Sequence, residues 1–165
     1  MFFPLLRAMA LPLVLVAAWP AHAELLPELT EAQPLREYWA NAGMYSRHFQ
    51  REKGLSDSNP GLGIEYRYSS TSSLIAGRFY NSDRQYSNYG GMVYQPLAVA
   101  GVRLGAALAA FDGYPRMRNG GAFLALVPVA SLEWQRFGLN ICYVPSYKDR
   151  LYGAVSLQLK LRVFD

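Results

Sequence analysis

What this chain has little of narrows its class. Only 17% of its 165 residues are charged while 52% are hydrophobic, a balance that excludes a disordered, solvent-swollen chain and makes one domain the default. A single cysteine, Cys142, excludes an internal disulfide. Its position, far from the N-terminal segment, also excludes a lipid-anchored cysteine and leaves a small buried or lipid-facing side chain. The two histidines, His22 and His48, are too few beside that cysteine for any metal-ligand spacing, so no metal or cofactor is expected. The net charge of +4 is spread over strand ends and loops without a dense basic cluster. That argues against a nucleic-acid partner and suits an anionic membrane surface. After Ala23 no run of about 18 apolar residues occurs, so a transmembrane helix is not available.

What is present begins with "MFFPLLRAMALPLVLVAAWPAHA". One basic residue, a short apolar core and the small-x-small end Ala21-His22-Ala23 read as a secretory signal over residues 1–23. Residues 24–37, with "ELTEAQPLRE", are compatible with a short N-terminal amphipathic helix. From Tyr38 to Asp165 the period becomes two. Strands are predicted at 38–50, 60–69, 73–80, 88–97, 102–111, 122–135, 137–145 and 151–164, joined by alternating short and long connections. Behind a secretory signal this is the pattern of an all-β, eight-stranded antiparallel transmembrane barrel, placed in a bacterial outer membrane and expected to be a monomer.

The last strand carries the plainest alternation. Val155, Leu157, Leu159, Leu161 and Val163 share one face, and Ser156, Gln158, Lys160 and Arg162 the other, as lipid outside and a polar lumen would require. A soluble lipocalin-like barrel would alternate too. With both termini at the periplasmic end, the inward residues divide by height. Glu65, Arg67, Arg103, Ser131, Glu133, Asn140, Gln158, Lys160 and Arg162 fall low, whereas Gly61, Gly63, Ala107, Ala109, Val127 and Val129 fall high. Small apolar residues crowded into the outer half leave room for an apolar ligand, although the taper of a small barrel also favours them.

Two prolines interrupt the hairpin "LVPVASLEWQRFGLNICYVPS". With a turn between Arg136 and Phe137, Pro128 falls opposite Pro145, both facing lipid. Proline has no N–H to donate, and an unsatisfied backbone group in hydrocarbon costs several kcal/mol. The pair therefore reads as a lateral opening for a lipid chain, or else as a bulge or a strand end in water.

This hairpin, with its Pro-x-Ala-Ser and Tyr-x-Pro elements, resembles that of the PagP family of outer-membrane lipid A palmitoyltransferases. "NPGLGIEYRY" is similar to that family's second strand, and "FYNSD" stands where it has a Phe-x-Asp-Ser element. The resemblance implies transfer of a palmitoyl or similar acyl chain from a glycerophospholipid to lipid A, with the chain held in an apolar interior pocket. It implies lateral lipid gates at Pro128 and Pro145 and at Pro60, and a catalytic His and Ser at His48 and Ser82. Where the family has its acidic residue this chain carries Asn81, with Asp83 two positions on. His48 as general base, with Asn81, Ser82 or Arg84 polarising the carbonyl and Asp83 orienting the ring, is one route; Ser82 as nucleophile is the other. The rival functions are a non-enzymatic structural or adhesive barrel and an outer-membrane lipid hydrolase.

Overall fold

The computed structural model describes residues 26–165; the signal expected at 1–23 lies outside them. A two-residue strand, β1 (Glu28–Leu29), precedes eight long ones: β2 (Pro34–His48), β3 (Ser58–Ser69), β4 (Ser72–Tyr80), β5 (Tyr86–Val99), β6 (Val102–Phe111), β7 (Phe123–Trp134), β8 (Phe137–Val144) and β9 (Ala154–Phe164). Each of the eight pairs antiparallel with its sequence neighbours, and β9 pairs back onto β2. The result is a closed eight-stranded barrel.

Alternation sorts the side chains as period two requires. Outward residues form an apolar belt, with Leu62, Ile64, Leu124, Leu126 and Leu159 each more than 60% exposed. Aromatic residues flank the belt at both ends: Tyr38, Tyr94, Trp134 and Phe137 at one, Tyr45, Phe49, Tyr86 and Tyr143 at the other. An apolar belt between aromatic rims is the surface pattern of transmembrane barrels. The end carrying Pro34 and Phe164 has short turns. At Ala100–Gly101 both residues adopt positive φ, the primed turn that matches the twist of its strands. The opposite end carries the long loops.

The expected N-terminal helix is absent from the described residues. Pro34 instead opens β2, and the residues before it run extended. Proline in the body of a helix forfeits a hydrogen bond and clashes with the preceding turn, while an extended path finds partners for the backbone here. Thr30 N–H donates to the Pro96 carbonyl, Gln33 N–H to Ser70 Oγ, and Ser70 N–H back to the Gln33 carbonyl.

Candidate active site

The lumen is layered from the turn end upward. At the bottom a charged cluster fills it. Arg67 bridges Glu37 (2.9 Å) and Glu133, Arg103 reaches Glu133 (2.7 Å), and Lys160 bonds both Glu65 (2.9 Å) and Glu133 (2.8 Å). The ring of Trp39 lies against this cluster, with the Lys160 ammonium 4.6 Å from its centroid. Above it runs a chain of amides and hydroxyls. Gln95 donates to Ser131 (2.9 Å), Ser131 to Asn140 (2.8 Å), and Asn140 to Gln158 (3.2 Å). These hydrogen bonds fill the lower lumen with the charged and polar residues expected to fall low.

The next layer is apolar. Val93, Ala107, Val127 and Val129 pack together with Ile75, Ala125 and Cys142. They line a cavity of about 130 Å³ that reaches His48, Leu55, Ser82, Asp83, Tyr114 and Tyr152 at the loop end. Ala107, Val127 and Val129 thus stand where the sequence places them. Ala109 is buried but lies off the cavity wall. The two glycines do something else: a Cβ at Gly63 would strike the Tyr89 hydroxyl, and one at Gly61 would meet Phe79. The bare face of Gly63 admits the Tyr89 ring, and Gly61 lets the facing β4 backbone come close at Phe79, so neither serves simply to enlarge the cavity.

His48 ends β2 and is buried at the cavity mouth, with Nδ1 3.1 Å from Asp57 Oδ1. An ionised carboxylate can only accept, so in the neutral ring the proton sits on Nδ1 and the lone pair on Nε2. Nε2 has no hydrogen-bond partner among the described residues. Asp57 is held by its backbone, which accepts Ser46 N–H at 2.7 Å, and Arg47 approaches its other oxygen at 3.6 Å. Ser82 lies beside this loop: its carbonyl accepts Ser56 N–H (3.0 Å), and its Oγ accepts from Asn59 Nδ2 (3.4 Å). A hydroxyl oxygen already accepting from an amide keeps its own hydrogen free to donate.

Asn81 and Asp83, expected to share in the chemistry, are placed otherwise. Asn81 is wholly buried and clasps a turn. Its Oδ1 accepts the N–H groups of Asp83 and Gln85, both at 3.0 Å, and its Nδ2 donates to the Gly113 carbonyl (2.9 Å). Asp83 faces Arg116 at 3.5 Å, not the imidazole. The carboxylate beside His48 is Asp57, which lies outside the motifs that carry the resemblance. Hairpin register could have found it, because Tyr45 pairs with Ser58 and the next rung sets Asp57 against Ser46. At the rim, burial and then the Asp83 charge push the Tyr114 phenol well up, so it remains a neutral donor.

The prolines divide into an open side and a closed one. The β7–β8 ladder stops at Val129–Cys142, next to Pro128. Beyond that rung β7 continues only against β6, up to Phe123–Phe111, and β8 only against β9, up to Val144–Ala154. A seam therefore runs up the wall at the level of Val127 and Val144, both cavity-lining. Pro128 and Pro145 flank it but do not face each other. The turn is Gln135–Arg136, closed by Trp134 and Phe137, which offsets the prolines by two residues. Pro60 marks no seam: the β2–β3 ladder resumes past it to Tyr45–Ser58, and Pro60 occupies an irregularity beside Gly43.

No protein-family model matches the chain, and no curated protein matches it. Among solved structures it is similar to the solution NMR structure of the de novo designed TMB2.3, with a TM-score of 0.58, 12% identity, and coverage of 79% of this chain and 96% of that one. The likeness is one of fold. Among the described residues no three His, Cys, Asp or Glu side chains gather where they could hold a metal ion.

Proposed function

We propose that this barrel sits in a bacterial outer membrane and transfers an acyl chain, palmitoyl or similar in length, from a glycerophospholipid to a hydroxyl of lipid A. The observation that carries the reading is the His48–Asp57 pair standing at the mouth of an apolar cavity whose floor is sealed by charge. A fatty chain fits such walls, and its ester carbonyl then lies at the rim. The seam at Pro128 supports sideways admission from the bilayer.

His48 Nε2 takes the proton from the attacking acceptor hydroxyl as the new ester C–O bond forms. The donor C–O bond breaks, the same proton passes to the departing glycerol oxygen, and a lysophospholipid leaves. Ser82 O–H donates to the carbonyl oxygen as it gains charge. Direct transfer is favoured over a serine ester because Ser82 Oγ bonds Asn59 and not His48.

Mass spectrometry of lipid A from cells expressing the wild-type chain, His48→Ala and Ser82→Ala tests this. The expected result is an added acyl mass in wild type that disappears in His48→Ala and falls in Ser82→Ala. An unchanged lipid A with folded barrel in the membrane would refute it.

A further inference from the structure

A second, polar pocket also touches His48. It is lined by Arg47, His48, Gln50, Arg51, Leu55 and Asp57. Its charges do not cancel. The one carboxylate, Asp57, already serves His48 at 3.1 Å and Arg47 at 3.6 Å, while the Arg51 guanidinium has no carboxylate partner among the described residues. Gln50 adds a second unmet demand. Its Nε2 donates weakly to Ser146 Oγ at 3.4 Å, and its Oε1 is buried without a partner. An orphaned buried acceptor is costly and calls for a donor from outside the chain. The pocket thus offers an unsatisfied cation and an unsatisfied acceptor side by side.

The two ends of the barrel differ in the same sense. At the turn end Arg67, Arg103, Lys160 and Arg162 each meet a glutamate, and Arg36 and Arg136 are the cations there with no ion pair among the described residues. At the loop end Arg84, Arg118 and Arg150, like Arg51, have no ion pair among the described residues. An excess of positive charge around the site draws anionic groups toward it.

We propose that this pocket binds the phosphate of a lipid headgroup, with Arg51 gripping the phosphate oxygens and Gln50 Oε1 accepting from a neighbouring hydroxyl or ammonium. Guanidinium suits phosphate because its N–H groups form a planar fork. The inference rests on the proposed acyl transfer only for the identity of the lipid. With an ester carbonyl held between His48 and Ser82, the donor phosphate lies one glycerol backbone away, and the acceptor brings phosphorylated glucosamine to the same rim. Both sources present phosphate beside a hydrogen-bond donor.

The test uses the full chain carrying His22→Gln, which leaves His48 as the one histidine, folded in a zwitterionic detergent. The His48 Cε1–H resonance is followed by NMR as short-chain phosphatidylglycerol is added, against diacylglycerol of the same chains. A second arm adds glucosamine 1-phosphate against glucosamine. The expected result is a saturable shift with the phosphorylated member of at least one pair, and an approximately tenfold weaker half-saturation in Arg51→Gln. That factor corresponds to about 1.4 kcal/mol. The pair that responds identifies the source. Equal response to phosphorylated and phosphate-free probes, no response to any probe, or a response indifferent to Arg51→Gln overturns the proposal. Transfer to lipid A persisting in the absence of phosphate binding would sink the pocket alone; phosphate binding without transfer would sink the acyl-transfer reading and leave the pocket.

Discussion

Replacing Lys160 with Met tests whether the lumen floor is held by charge. The side chain is 1% exposed and bonds Glu65 Oε2 at 2.9 Å and Glu133 Oε1 at 2.8 Å. Without it, Glu133 keeps Arg67 and Arg103, but Glu65, itself 4% exposed, keeps only the Ser73 hydroxyl and Arg67 at 4.0 Å. One buried carboxylate is then stranded, which costs about 3–5 kcal/mol. Loss of the cation over Trp39 adds roughly 0.5–2 kcal/mol. Adding Glu65→Gln removes the stranded charge, so the double variant should recover most of that loss. Urea unfolding in detergent micelles, followed by tryptophan fluorescence, gives both numbers. A cost for Lys160→Met below about 1 kcal/mol, or a double variant less stable than the single one, would refute the reasoning.

Asp57→Asn should lower the transfer rate by about 10²-fold with little change in KM, because the imidazolium formed in the transition state loses its counter-charge; Asp83→Asn should cost far less, and the reverse ranking would reject Asp57 as the orienting acid. Ala107→Phe places a ring among Val93, Val127 and Val129 and should shorten the acyl chain transferred, read directly as a smaller mass gain on lipid A; an unchanged mass would mean that the chain lies elsewhere. Asp112 accepts the Asn88 side-chain amide at 2.9 Å and its backbone N–H at 2.6 Å, which holds the carboxyl below its ordinary 3.8. Because the folded value is the lower one, this carboxylate contributes stability above the unfolded value, and the contribution is lost as the pH falls through the folded one. Asp112→Asn should therefore flatten the acid-side loss of protection in the Asn88 amide, measured by hydrogen exchange between about pH 2 and 6.

Most of the barrel is legible in the sequence because period two is a local signal. The alternation from Ala154 to Phe164 alone separates the lumen from the outer face, and the Val102–Phe111 strand falls at its expected ends. What escaped depends on partners remote in the chain or on backbone dihedrals. The segment before Pro34 has helix-compatible residues, yet its hydrogen-bond partners, Ser70 and Pro96, lie far along the chain. The proline offset follows from Gln135 adopting φ +54, and glutamine does not announce a left-handed turn. In the site, His48 and Ser82 were within reach because His48 ends β2 and Ser82 lies two residues past the end of β4, both at the loop rim. Asp57 was not, since its role emerges only when the β2–β3 register sets its loop against Ser46. Asn81 is the converse case: an asparagine in a motif position that turns out to clasp a tight turn, a common use of its side chain.

The measurement that bears most directly on acyl transfer is product analysis with purified barrel, a phospholipid labelled in its sn-1 chain, and lipid A in mixed micelles. The predicted result is label moving into lipid A with one lysophospholipid released per transfer, abolished by His48→Ala. Label appearing only as free fatty acid would identify a hydrolase. Label remaining in the phospholipid, with the barrel folded and both lipids present, would mean that the cavity and the His48–Asp57 pair serve no acyl chemistry.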